Sequence, residues 1–304
     1  MNKFDLHILG CGSALPTMRH VPTSQVLNIR EKLFMIDCGE GTQLQFRKAK
    51  LRFGRLNRIF ISHLHGDHYF GLIGLISTLG LLGRTGDLFI HSIVELEPIL
   101  RPQLDYFCKD LSFNVVLVPF DHTKNSIIYE DKSIKVSTIP LDHRVPCAGF
   151  LFEEKPNDLH LNGELIKFYD ISVKQLPLIK KGADAILEDG RIIPNKSLTR
   201  PADPSRKYAY CSDTAYKESI VPIIQNADLL YHESTFLEED KARAVSTRHS
   251  TAKEAAQIAK LAGVKKLMLG HYSSRYTDES LFLKEAGSVF KNTILSNELL
   301  IEKL

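Results

Sequence analysis

No stretch of this 304-residue sequence is long and apolar enough to suggest a membrane span. The longest uncharged run, Tyr69 to Gly83, is too short to cross a bilayer and is interrupted by glycines at 71, 74, 80 and 83. The first residues, Met1 to Asp5, hold no apolar segment of the kind that a secretory signal needs. Cysteine is scarce and scattered. The five (11, 38, 108, 147 and 211) form no Cys-x-x-Cys pair, which argues against a disulfide framework or a thiolate zinc site and for a reducing, cytoplasmic setting. Charge of one sign is also lacking: a net +3 is too small to mark a nucleic-acid binder by itself. Neither an internal repeat nor a low-complexity tract is present. What remains is 43% apolar and 25% charged residues, ordinary material for a large packed core.

Short apolar runs alternate with amphipathic stretches, which predicts an α/β protein. Strands are expected at Phe4 to Ile8, Lys32 to Asp37, Arg58 to Ser62, Ile134 to Leu141, Lys207 to Cys211, Asp228 to Tyr231 and Lys265 to Gly270. Helices are clearest at Leu72 to Leu82 and Ala252 to Ala262. The second carries a capping box, Thr251-x-x-Glu254, and a terminating Gly263. From about 153 to 204 the sequence turns polar and proline-bearing with little periodicity. This predicts an excursion inserted in a single domain of residues 1–304.

Chemistry concentrates in Ser62-His63-Leu64-His65-Gly66-Asp67-His68, four potential ligands in six residues directly after an apolar strand. Imidazoles and a carboxylate suit zinc-like cations, and so dense a polar cluster is costly to bury without one. Three further residues, His143, Asp213 and His271, each follow a predicted strand. Ligands of open α/β sheets gather outside strand ends, so seven donors could meet in a two-metal site.

His63-x-His65-x-Asp67-His68 with a later His, Asp and His resembles the metallo-β-lactamase superfamily. Four further segments are similar to the ribonuclease Z family, the tRNA 3′-processing endonucleases. They are Gly10-Cys11-Gly12-Ser13-Ala14-Leu15-Pro16-Thr17, Phe34 to Thr42, Arg248-His249-Ser250-Thr251 and His271-Tyr272-Ser273-Ser274-Arg275-Tyr276. The resemblance runs nearly end to end. It implies a four-layer αββα sandwich with two Zn2+ per subunit, one on His63, His65 and His143 and the other on Asp67, His68 and His271, bridged by Asp213. It also implies that a hydroxide clamped by both ions cuts the 3′ trailer from precursor tRNA and leaves a 3′-hydroxyl. In the family Asp67 is the proton acceptor; a metal-bound carboxylate is a poor base, so orienting the nucleophile is its firmer role. His249, just before the capping box, is the expected acid for the leaving oxygen, held charged by Glu233.

A basic stretch, Arg47, Lys48, Lys50, Arg52, Arg55 and Arg58, precedes the ligand strand and could contact phosphates. Arg275 and Tyr276 could bind a phosphate and stack on a base. Members of the family usually carry a basic Gly-Pro-rich arm that grips tRNA and act as homodimers. Here residues 153–191 hold eight acidic and six basic residues and no Gly-Pro motif, leaving Lys180 and Lys181 as the expected contacts. Other readings are a fold-mate hydrolase acting on a small phosphodiester or thioester, or a catalytically silent RNA-binding module. No nucleotide cofactor is expected, because Gly10-x-Gly12 lacks the rest of a dinucleotide fingerprint.

Overall fold

The computed structural model describes residues 3–304, which divide into two compact units. The larger contains two seven-stranded sheets. In the first, from edge to edge, lie Ile301–Lys303, Phe4–Gly10, Ser24–Ile29, Lys32–Ile36, Leu56–Phe60, Leu88–Ser92 and Val115–Pro119. The second runs Thr293–Leu295, Leu267–Gly270, Leu229–Glu233, Lys207–Cys211, Ala148–Glu154, Ile134–Pro140 and Ile127–Glu130. Each sheet has a four-strand parallel half, which requires crossover connections and cover on both faces.

Aromatic side chains pack between the sheets. Phe60 lies 5.5 Å from Phe150 and 5.3 Å from Phe152, and Tyr210 donates its hydroxyl across to Asp37 Oδ2 at 2.7 Å. Outside the first sheet, helices Leu72–Leu81 and Leu96–Phe107 bury Leu72, Leu75, Ile76, Leu79, Leu96, Leu100 and Leu104 against it. Outside the second lies helix Ala252–Ala262, with its capping box formed and Gly263 in the left-handed conformation that stops it (φ 60°). This is the αββα order that the resemblance implies. Every strand and both helices expected from the sequence form within a few residues of their predicted limits. Among the described residues no helix is long and apolar enough to cross a membrane.

The smaller unit comprises Lys132–Ile134 and Glu154–Ser205. Its centre is four buried side chains, Ile171, Ile179, Ala185 and Leu198. Around them lie short helices, one opened by the Asn162 side chain accepting from Leu165 N–H, and two two-stranded ladders. Lys180 and Lys181 are exposed on it.

Candidate metal centre

Parallel strands deliver their following residues to one edge of each sheet, and that placement assembles the site. From the first sheet come Asp37 after Lys32–Ile36 and the run Ser62–His68 after Leu56–Phe60. The second supplies His143, Asp213, Glu233 and His271, each at or just past a strand end. A close backbone approach seats the ligand run: Cys38 N–H donates to His68 O at 2.7 Å, and Gly71 N–H to Cys38 O at 2.9 Å. Any side chain on Gly71 would meet Gly39 O at 2.1 Å. His271 itself sits at φ 62°, a conformation that turns the chain sharply off its strand.

The seven expected ligands fall into two groups that share one carboxylate. His65 Nδ1 lies 3.1 Å from His63 Nε2 and 3.2 Å from His143 Nε2. Asp213 Oδ2 faces the last two at 3.6 and 3.7 Å. In the other group, Asp67 Oδ2 is 3.4 Å from both His68 Nε2 and His271 Nε2, while Asp213 Oδ1 faces them at 3.5 and 3.1 Å. Donor atoms that share one cation stand at such spacings.

Their backing explains the aim of four of the five rings. Nδ1 of His63 meets Ser62 Oγ at 3.0 Å, and that of His143 donates to Arg248 O at 2.9 Å. His68 Nδ1 donates to Asp37 Oδ2 at 2.8 Å, and His271 Nδ1 meets Thr235 Oγ1 at 2.9 Å. With Nδ1 engaged behind, Nε2 carries its lone pair forward. His68 Nε2 and His271 Nε2 are nevertheless buried without a hydrogen-bond partner, a cost that a cation would remove. Burial pushes the pKa of His63, His65 and His143 down, keeping them neutral as ligation requires. Burial acts the same way on His68, but Asp67, Asp213 and Asp37 outweigh it and raise its pKa well above the usual imidazole value. The donor set of five imidazoles and two carboxylates therefore fits two divalent cations of the zinc type.

The centre opens into a cleft of about 570 Å³ lined by Ala14, His65, Asp67, Arg144, Phe236 and His249, among others. His249 Nδ1 lies 2.8 Å from Glu233 Oε1, and Glu233 is fully buried. Burial alone would lower the His249 pKa, but the Glu233 carboxylate reverses this and raises it to about 9. Ala14 N–H donates to Asp67 Oδ2 at 2.8 Å, fixing that carboxylate from the opposite rim.

Two expectations change. Tyr276 is buried rather than free to stack on a base. Its hydroxyl donates to Asp240 and accepts from Leu237 N–H at 3.1 Å, and its ring packs edge-on against Phe282 at 5.0 Å. The basic stretch does not present six free cations. Arg55 pairs with Glu31, and Arg58 is held over Tyr129 at 3.9 Å and Phe89 at 4.3 Å, whereas Arg47, Lys48, Lys50 and Arg52 are exposed. Arg275 is exposed, its guanidinium 6.0 Å from the Phe236 ring at the cleft. Sequence reasoning missed Asp37, Thr235 and Arg144 as members of the site. Asp37 stood in a quoted motif, and Arg144 directly follows a ligand; nothing local flags Thr235.

The family described as "Anti-Pycsar protein Apyc1" matches residues 4–162, a span that includes His63 to His68 and His143 but ends before Asp213, His249 and His271. The short form of human tRNase Z has a similar fold (TM-score 0.70, 24% identity, 98% of each chain). So does the metallo-β-lactamase fold protein YhfI from Bacillus subtilis (TM-score 0.70, 18% identity, all of both chains). Curated relatives are far nearer in sequence. The Ribonuclease Z of Bacteroides fragilis is 58% identical and that of Porphyromonas gingivalis 59%, each over 298 residues covering 98% of both chains. Identity at that level over nearly the full length of both chains shows that the chain belongs to the ribonuclease Z family of enzymes.

Proposed function

We propose that this enzyme is a zinc-dependent endonuclease that removes the 3′ trailer from precursor tRNA and leaves a 3′-hydroxyl on the tRNA. The observation that carries the reading is the meeting of a seven-donor cluster and the His249–Glu233 pair at one cleft. Two zinc ions held there would supply Lewis-acid charge beside the scissile phosphodiester and make a water acidic enough to attack near neutral pH. His63, His65 and His143 would hold one ion, Asp67, His68 and His271 the other, and Asp213 both.

The remaining roles belong to the chain. Asp67, steadied by Ala14 N–H, orients the attacking water. His249, kept protonated by Glu233, hands its proton to the departing oxygen of the trailer and recovers it from solvent. Arg144 and Arg275, exposed beside the cleft, would engage flanking phosphates. In the smaller unit, Lys180 and Lys181 would contact tRNA phosphates as well. The same reading carries a homodimer and a cytoplasmic site of action.

Incubation of a 5′-labelled tRNA precursor with zinc-loaded enzyme tests it. One metal-dependent cut just after the discriminator base, absent with His65→Ala, is the expected result. An enzyme that holds its metal yet leaves the precursor intact while hydrolysing a small phosphodiester or thioester would overturn it. Salt separates the two further, because multi-phosphate contacts weaken steeply with ionic strength.

A further inference from the structure

A second convergence of ligand atoms lies outside the seven-donor centre. Cys11 Sγ is 3.3 Å from His20 Nδ1 and 3.7 Å from Glu298 Oε1, and His20 Nδ1 is 2.9 Å from Glu298 Oε2. Three separate stretches supply them: the residue after the first strand, the loop that follows it and the segment before the last strand. Cys11 is fully buried, and the side chains of His20 and Glu298 are only 10% and 13% exposed.

We propose that Cys11, His20 and Glu298 form an additional metal site, for one thiophilic divalent cation such as zinc. Zinc accepts thiolate, imidazole and carboxylate donors. Bond lengths of about 2.3 Å to sulfur and 2.0–2.2 Å to nitrogen and oxygen give a tetrahedron with edges of about 3.3–3.6 Å. The sulfur's separations from His20 Nδ1 and Glu298 Oε1, 3.3 and 3.7 Å, lie close to those edges, and His20 Nδ1 stands 2.9 Å from the other Glu298 oxygen, a hydrogen bond that must lengthen to admit an ion. The far side of the imidazole is also prepared: His20 Nε2 meets Glu279 Oε1 at 3.2 Å, and Arg19 holds that carboxylate at 2.7 Å. A carboxylate behind a metal-binding histidine fixes its tautomer and aims the other nitrogen at the ion. The charges balance, since a dication entering with loss of the thiol proton faces one thiolate and one carboxylate.

The site also bears on the centre. Cys11 O accepts from Tyr272 N–H at 3.1 Å, next to the ligand His271, and the segment that His20 closes carries Ala14, the donor to Asp67. An ion on Cys11 and His20 would pin both ends of that segment. Scattered cysteines argue against a thiolate site in the sequence, but here the other ligands come from 9 and 287 residues away.

Cobalt substitution is the test. The seven donors of the centre are nitrogen and oxygen only, so a sulfur-to-cobalt charge-transfer band in the near ultraviolet reports this site alone. Wild-type protein loaded with Co2+ should show the band and bind one ion per chain more than Cys11→Ser, in which the band is lost. It should persist in His63→Ala, whatever that variant does to RNA cleavage. No band in the wild type, or a band that survives Cys11→Ser, would overturn the proposal. Should Cys11→Ser fail to fold, Glu298→Gln decides: the band must then require more cobalt, and an unchanged titration counts against the site.

Discussion

The two donor groups of the centre would attract a cation by different means. His63, His65 and His143 are three imidazoles that burial keeps neutral, backed by a hydroxyl and a main-chain carbonyl. Asp67, His68 and His271 include one carboxylate and have a second, Asp37, buried behind His68. The first group therefore offers lone pairs without net charge, and the second draws a cation by charge as well. Asp213, with one oxygen toward each, makes the pair a unit. Similar spacing does not make the two positions equivalent.

Substitutions should separate them. The largest effect is expected from Asp213→Ala, which removes the shared oxygen donors. Metal analysis should find both ions weakened, and cleavage should fall below detection. His249→Ala should lower turnover by about 10²–10⁴-fold with both ions retained, because it removes a proton donor and no proposed ligand. Loss of metal in that variant would move His249 from acid to ligand. Asp37→Asn sharpens the asymmetry. Asp37 accepts from Ser62 N–H, Ser62 Oγ, Tyr210 Oη and His68 Nδ1, and an amide cannot accept from all four. Affinity for the second ion should drop about 10–100-fold and that for the first by less, because Asp37 touches His68 directly but reaches His63 only through Ser62 Oγ. Equal losses at both would erase the distinction drawn here. The smallest change is expected from Lys180→Ala with Lys181→Ala: turnover unaffected, and the dependence of tRNA binding on log salt shallower by about 1 per lysine.

Features carried by neighbouring residues were legible in the sequence. The capping box at Thr251 and Glu254 and the His63–His68 run need only a few consecutive positions, and both form as read. Burial couplings between distant residues were not. His68 depends on Asp37 and His271 on Thr235, separations of 31 and 36 positions that no local pattern records. Tyr276 read as a free ring because it stands beside Arg275, yet Asp240 claims its hydroxyl. The helix Leu96–Phe107 escaped periodicity because Pro98 and Pro102 interrupt it, although Leu96, Leu100 and Leu104 form its buried stripe. The smaller unit reads worst, since a core of four small-to-medium side chains leaves most of its residues exposed and without a hydrophobic period.

In the proposed enzyme seven side chains hold two ions in one centre. Diffraction from crystals of the zinc-loaded enzyme, recorded on either side of the zinc absorption edge, tests it most directly. Two anomalous peaks are predicted in the cleft, one among His63, His65 and His143 and one among Asp67, His68 and His271, with Asp213 between them. A single peak at full loading, or peaks away from these donors, would contradict the account.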